Sequence, residues 1–229
     1  MLLCKELLLI LPKENKGKLQ WSKAGWIRRV IFSGAILNDL FLHDRIAIEE
    51  KPDRRIRSKG PIPEVNTEVV HIDKTPTDIP ILDEILDILT DERKNIVSVI
   101  QQISLSKKKK LEAQLWNELE AEGTVQNKGK KHIIIDTEVR NELLQRIKDT
   151  VTNKKDPDDH MKALLGFIGF KATYDKKFYK KHFIKSKLDR EWRKRILEDQ
   201  VIYDSTSSMV AFIWGNKASG EIIYKRIKV

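Results

Sequence analysis

Residues 107–136 read KKKKLEAQLWNELEAEGTVQNKGKKHIIID, and the fold prediction rests on this stretch. Leu111, Leu115 and Leu119 recur at a spacing of four, which predicts an amphipathic helix with four lysines at its start. Gly123 predicts the end of that helix, because glycine is common just past a last helical turn. Residues 124–125 and 132–135 predict two short strands joined by a lysine-rich turn. We therefore expect a helix and a basic-tipped hairpin that together face an anionic surface.

Size and charge limit the function classes. The 229 residues are enough for one large domain or two small ones, and the contents of 40% hydrophobic and 34% charged residues are typical of a soluble globular protein. The net charge of +10 favours a polyanionic partner, either nucleic acid or an anionic membrane leaflet. The single cysteine, Cys4, excludes an internal disulfide and favours a reducing, cytoplasmic compartment. No apolar run approaches the ~18 residues of a membrane-spanning helix, so any membrane contact is expected to be peripheral.

The whole pattern predicts a mainly α protein: a single helical domain over residues 1–215, with short β elements and a β-hairpin, followed by a basic tail over 216–229. Residues 13–18 are predicted to form a polar turn, and residues 51–67 an exposed basic loop. Short strands are predicted at 19–21, 45–49 and 69–72. The predicted helices, besides the one in the opening stretch, cover residues 3–11, 22–43, a segment starting near Pro80, 92–105, 139–151, 161–172, 176–187, 188–200 and 208–214.

Residues that could carry catalysis or bind a metal are scattered. The five histidines show none of the paired spacing of zinc sites, and neither a glycine-rich phosphate loop nor a nucleophile motif is present. The polar cluster Asp156, Asp158, Asp159 and His160 is predicted to cap a helix that begins near Asp159, in preference to binding a metal. We therefore expect no enzyme activity, no cofactor and no metal.

Two interpretations of the basic surface remain from the residues alone. Helices followed by a lysine-tipped hairpin are compatible with a winged-helix nucleic-acid-binding protein. The candidate recognition helix, however, carries four glutamates that would repel phosphates: Glu112, Glu118, Glu120 and Glu122. The other interpretation is a peripheral lipid-binding protein, in which an interfacial tryptophan and several basic side chains surround a phosphorylated headgroup. We prefer it because only the first turn of the helix is basic, which suits a compact headgroup.

Residues 75–86, TPTDIPILDEIL, resemble the Pro-Thr-(Gly)-Asp and Leu-Leu-Asp-Glu-Ala-Leu signature of the Golgi phosphoprotein 3 family. Further similarities follow in the family's order at 5–9, 39–46, 119–136 and 156–167, and together they extend from about residue 3 to residue 215. The resemblance implies a helical, non-catalytic adaptor that binds phosphatidylinositol 4-phosphate at the cytosolic face of Golgi membranes. It also implies a role in vesicle trafficking and in glycosyltransferase retention, through the cytosolic tails of membrane proteins.

The family's headgroup site combines a tryptophan ahead of the second helix with an arginine inside that helix. The tryptophan matches Trp21 here, with Trp26 as the alternative. The arginine position falls on Ser33, a departure from the family, and Arg29 lies one turn earlier on the same helical face, beside Arg28. The resemblance therefore implies that Arg29 replaces the lost charge. Arg28, in the same early turns of the helix, is expected from the lipid-binding interpretation to add positive charge around the headgroup.

The family site also has two basic residues at the start of the helix before the hairpin. The first falls on Lys109, but the second falls on Glu112, so Lys108 or Lys110 would have to replace it. Lysine presents a point charge instead of a planar fork, so looser headgroup selectivity is expected.

The family's hairpin is apolar and either enters the bilayer or mediates self-association, so a homo-oligomer is one alternative. The lysine-rich tip in this chain predicts contact with anionic headgroups instead of deep insertion. The chain also starts directly at the domain, without the family's arginine-bearing N-terminal tail, so coatomer binding is not expected; nor is nucleic-acid binding. The residues expected to contact the membrane are Lys128, Lys130, Lys131, Ile133 and Ile134.

Overall fold

The computed structural model describes residues 1–15, 17–20, 25–50, 67–71, 73–89, 94–106, 110–128, 131–153 and 156–174. Within these ranges the protein is mainly helical, as predicted, with two small antiparallel sheets. The helices are α1 (Leu3–Ile10), α2 (Gly25–Leu42), α3 (Pro80–Leu86), α4 (Ile96–Ser106), α5 (Leu111–Ala121), α6 (Thr137–Asn153) and α7 (Asp159–Tyr174). The strands are β1 (Lys13–Asn15), β2 (Lys18–Gln20), β3 (Ile46–Glu50), β4 (Thr67–His71), β5 (Lys94–Asn95), β6 (Val125–Lys128) and β7 (Lys131–Ile134).

Helix α1 forms the centre of the core. All eight of its residues are buried, and it contacts α2, α5, α6 and α7. Burial of a leucine or isoleucine side chain stabilises a fold by roughly 1.5–3 kcal/mol, so the apolar run of α1 accounts for its central position. Its polar groups have partners on the surrounding helices: Lys5 Nζ lies 2.9 Å from Glu118 Oε2 of α5, and Leu9 O accepts a 2.9 Å hydrogen bond from Arg140 Nε of α6.

The signature stretch at 75–86 forms the turn that starts α3. Asp83 Oδ1 accepts hydrogen bonds from the backbone N–H of Thr77 at 2.6 Å and from its hydroxyl at 2.7 Å. The same hydroxyl oxygen accepts a 3.2 Å hydrogen bond from the N–H of Ile79. Asp78 has a φ of 59°, a left-handed conformation that aspartate adopts more easily than most residues. Pro80 occupies the first turn, as predicted, where its missing N–H has no cost.

The end of α5 confirms the prediction made from Gly123. Gly123 has a φ of 75°, its N–H donates to Glu120 O, and the N–H of Thr124 donates to Leu119 O. These two bonds are the Schellman arrangement, which satisfies carbonyls at the end of a helix. The chain is thereby turned directly into β6.

Two sheets complete the described fold. Strands β3, β4 and β5 form a three-stranded sheet in that order. The second sheet has the order β1-β2-β7-β6, so the N-terminal strands extend the predicted hairpin. The prediction of a polar turn over residues 13–18 was wrong for Lys13–Asn15, which form strand β1, and for Lys18, which begins the opposite strand β2. The two hairpin strands also extend into residues 127–131, which were predicted as a turn: β6 ends at Lys128 and β7 begins at Lys131.

The start of α7 confirms the capping prediction. Asp158 Oδ1 accepts a 2.7 Å hydrogen bond from the N–H of Met161. His160 instead points to α1, where its Nε2 lies 2.8 Å from Glu6 Oε2. Among the residues that the structure describes, no cluster of histidine, cysteine and carboxylate side chains is arranged to hold a metal ion.

Several predictions fall outside the described residues. They include most of the basic loop at 51–67, the helices expected at 176–187, 188–200 and 208–214, and the boundary between residues 215 and 216.

Candidate functional site

The first turns of α2 carry Arg28 and Arg29, both half-buried. Arg29 O accepts a 2.7 Å hydrogen bond from the hydroxyl of Ser33, which is completely buried. Ser33 is therefore satisfied by its own helix and adds no charge to the surface. The positive charge of this part of α2 comes from the two arginines one turn earlier.

The start of α5 lies against the start of α2. Glu112, in the first turn of α5, places Oε2 3.5 Å from Nε of Arg28. The side chain of Arg28 is 24% exposed and that of Glu112 is 25% exposed, but the Nε atom of Arg28 is buried and its contact with Glu112 is not a hydrogen bond. Lys110 occupies the N-cap position of α5 and is exposed. The ion pair thus joins two basic segments that are about eighty residues apart in the sequence.

The hairpin meets α5 through an aromatic stack. The indole of Trp116 and the imidazole of His132 lie nearly parallel, at an interplanar angle of 5° and with ring centroids 3.8 Å apart. Burial lowers the pKa of His132; the charge of Glu120 opposes this and the charge of Arg28 adds to it. A neutral imidazole is therefore favoured at neutral pH, which suits a stacked ring next to an arginine.

Asn127 connects β6 to α5. Its side-chain amide nitrogen donates hydrogen bonds to Glu120 Oε2 at 2.9 Å and to Trp116 O at 3.2 Å. Its backbone N–H donates to Glu120 Oε1 at 2.7 Å, and its Oδ1 lies 2.7 Å from Nδ1 of His132. These bonds fix the hairpin on α5. We call the place where the starts of α2 and α5 meet this hairpin the junction; it is defined by Arg28, Glu112, Trp116 and His132.

The outer face of the hairpin sheet is basic and partly apolar. Directly opposed residues of antiparallel strands share a face, and alternate residues along one strand do so too. The pairs Lys18 with Ile133 and Lys128 with Lys131 therefore lie on the side opposite to the buried Val125, Leu19 and Ile134. Ile135, the residue that follows β7, is 59% exposed next to this face. We call Lys18, Lys128, Lys131, Ile133 and Ile135 the outer face.

The structure places some predicted site residues together and leaves others undescribed. Arg28, Arg29 and Lys110 lie at the starts of α2 and α5, and Lys128, Lys131 and Ile133 lie on the outer face. Ile134 does not belong with them, since it is only 8% exposed and packs in the core. Trp26 is in α2, but its side chain is outside the description. The other predicted residues, Trp21, Lys108, Lys109 and Lys130, lie outside the described ranges.

Sequence reasoning missed four residues of this region. Strand alternation in residues 131–135 was the available signal for Ile135, because every second residue of a strand faces the same side. Lys18 could be placed only after its pairing with β7 was known. Trp116 and His132 carried no signal, because their stack joins residues of different elements.

A comparison with protein-family models assigns the chain to a family. The model of the Golgi phosphoprotein 3 (GPP34) family matches residues 3–200, which include α1 to α7 and both sheets. The chain belongs to this family. The Golgi phosphoprotein 3 family is a family of adaptors without enzymatic activity. A search of curated proteins found no significant match. In the part of the chain that is described, none of the helices combines the length and apolar character needed to span a bilayer.

Proposed function

We propose that the protein is a peripheral membrane adaptor, which binds phosphatidylinositol 4-phosphate through the junction and an anionic leaflet through the outer face. Membership of the Golgi phosphoprotein 3 family supports the adaptor role. The lipid assignment rests on the positions of the basic residues described above.

The observation that carries the proposal is the contact between the starts of α2 and α5. Arg28 and Glu112 lie 3.5 Å apart, so the arginines of α2 and Lys110 at the N-cap of α5 border one region of the surface. A phosphomonoester carries close to two negative charges and three acceptor oxygens, and guanidinium groups bind such oxygens in pairs. Arg28 and Arg29 would bind the headgroup phosphate, with Lys110 as a further cation. Trp21 or Trp26, Lys108 and Lys109 complete the proposed site from the sequence pattern.

The outer face supports a second contact with the membrane. Lys128 and Lys131 are directly opposed across the hairpin, and like charges in that arrangement destabilise a sheet. An anionic leaflet would relieve this repulsion, and each lysine near such a surface contributes about 1 kcal/mol of binding free energy. Ile133 lies on the same face and Ile135 lies next to it, and both would contact the headgroup layer. Lys130 in the turn would add to this charge.

The proposed location is the cytosolic face of Golgi membranes, and the proposed cargo is the cytosolic tails of membrane proteins such as glycosyltransferases. Family membership supports both. The family also makes self-association through the hairpin an alternative use of the outer face.

The exposed side of α5 argues against a nucleic-acid recognition helix. Its exposed residues are Ala113, Asn117, Glu120 and Ala121, followed by Glu122 at the C-cap. None of these five is basic, whereas phosphate contacts dominate the affinity of proteins for duplex DNA. Glu120 also binds Asn127 and so cannot turn towards a nucleic acid without loosening the hairpin.

Flotation with phosphatidylcholine vesicles tests the proposal. One set contains phosphatidylinositol 4-phosphate, and a second contains phosphatidylserine at the same total charge. We expect stronger binding to the first set, weaker selectivity for Arg28→Gln, and weaker binding to both sets for the double variant Lys128→Gln/Lys131→Gln. Lys148→Gln, on the exposed side of α6, removes one positive charge outside the junction and serves as the control. Salt-sensitive duplex-DNA binding without flotation would contradict the proposal.

A further inference from the structure

We propose that Glu112 is a built-in competitor of the anionic headgroup, which sets the affinity of the junction by occupying Arg28 until a phosphomonoester displaces it. The inference rests on the proposed lipid-binding function of the junction. It assigns a role to the carboxylate of Glu112 in a site that the proposed function defines by its basic side chains. Its consequence is that the protein binds its lipid more weakly than its basic residues alone would allow.

The geometry provides the contact that has to be broken. Oε2 of Glu112 lies 3.5 Å from Nε of Arg28, and about a quarter of each side chain is exposed. The Nε atom is itself buried, but its contact with Glu112 is not a hydrogen bond, so this ion pair lacks the strength of a charge-assisted hydrogen bond. It can therefore open at little cost when a stronger anion arrives. A fully buried pair would not exchange in this way, since breaking it would leave an uncompensated charge.

Glu112 also has a stable position after displacement. It lies in the first turn of α5, where the partial positive charge at the start of a helix stabilises a carboxylate. Lys110 precedes it by two residues and is exposed. The carboxylate can therefore move away from Arg28 and remain near positive charge while the headgroup occupies the guanidinium.

To displace Glu112, the incoming group needs more negative charge and more hydrogen-bond acceptors than a carboxylate has. A phosphomonoester does so, with close to two negative charges at neutral pH and three acceptor oxygens. The guanidinium can bind two of these oxygens at once, a geometry that fixes orientation as well as charge. The headgroup phosphate thus takes over the contact that the Glu112 carboxylate makes with Arg28.

The test is a double-mutant cycle between Glu112→Gln and Arg28→Gln, measured by flotation with phosphatidylcholine vesicles that contain phosphatidylinositol 4-phosphate. Because a partly exposed ion pair without a hydrogen bond contributes at most about 1 kcal/mol, Glu112→Gln is expected to strengthen binding by about 2- to 5-fold. The gain should disappear in the Arg28→Gln background. Glu142→Gln, which removes an exposed carboxylate from α6, is the matched control and should change binding little.

The other outcomes separate this inference from the proposed function. If Glu112→Gln leaves binding unchanged while Arg28→Gln weakens it, the junction binds lipid but Glu112 does not compete, and the inference is wrong. A gain that persists in the Arg28→Gln background would mean that Glu112 acts only through the overall surface charge, which also overturns it. If neither the wild type nor any variant floats with these vesicles, both the inference and the proposed function fail.

Discussion

Asp39 provides the most direct test of how the core is held together. It is only 2% exposed, and its carboxylate accepts hydrogen bonds from the backbone N–H groups of Leu3 at 2.8 Å and Cys4 at 3.1 Å. It therefore satisfies two of the free donors at the start of α1. Burial raises the pKa of Asp39 to about 6, although these hydrogen bonds oppose the shift. We choose the substitution Asp39→Asn, which keeps the size of the side chain and removes its titration.

The sign of the effect follows from the direction of the shift. The pKa of Asp39 is about 6 in the folded state and about 3.9 in the unfolded chain, so the folded state holds this proton more tightly. The stability contributed by Asp39 is fully present below the unfolded value and is lost as the pH rises through about 6. The total is about 3 kcal/mol, and about 2 kcal/mol of it falls between pH 4.5 and pH 7.5.

Urea unfolding of wild type and Asp39→Asn across this pH range measures the effect. The variant loses one backbone hydrogen bond, which shifts its stability by the same amount at every pH. Between pH 4.5 and pH 7.5, the free energy of unfolding of the wild type should therefore fall by about 2 kcal/mol relative to that of the variant. Asn141→Ala, which replaces an exposed residue of α6 that does not titrate, is the control and should give a difference that does not depend on pH. A constant difference for Asp39→Asn as well would refute the argument that burial controls this carboxyl group.

Three further predictions concern other contacts. The hydrogen bond to Glu6 raises the pKa of His160 against the effect of burial, so the stability from this pair should be lost as pH rises through that raised value. His160→Gln should remove this loss when urea unfolding is measured at a series of pH values. Thr77→Val removes the hydroxyl that links Asp83 to the start of α3 and should cost about 1–2 kcal/mol in thermal unfolding, whereas no change would mean that the turn is held otherwise. Asn127→Ala should cost about 2 kcal/mol and speed amide exchange in the hairpin but not in α6; equal acceleration in both would disprove a local effect.

Local patterns were enough to predict most of the described elements. The leucine spacing of α5, Gly123 at its end and Pro80 at the start of α3 act within a few residues, so they can be recognised in a sequence. Strand β1 could not be recognised in this way. Lys13–Asn15 has no apolar alternation, and it becomes a strand because β2 supplies its hydrogen-bond partners.

The sequence predicted which basic residues belong to the candidate site, but it did not predict the contacts between them. The basic residues at the starts of α2 and α5 stand out in the sequence, and the structure brings Arg28 and Lys110 to neighbouring helix starts. Their connection through Glu112 depends on the packing of α2 against α5 around α1, which no short-range pattern contains. The same limit applies to Asp39, whose partners at the start of α1 are 35 and 36 residues away.

The junction and the outer face should respond differently to salt, and this separates their roles. Lys128 and Lys131 are exposed, so salt screens their attraction to a membrane over a distance of about 8–10 Å. Arg28 is about one-quarter exposed and would contact its headgroup directly, so it is screened less. As salt rises, total vesicle binding should fall while selectivity for phosphatidylinositol 4-phosphate over phosphatidylserine increases, because the junction then supplies a larger share of the binding. If selectivity instead falls together with total binding, the outer face dominates both, and the junction does not determine which lipid is bound.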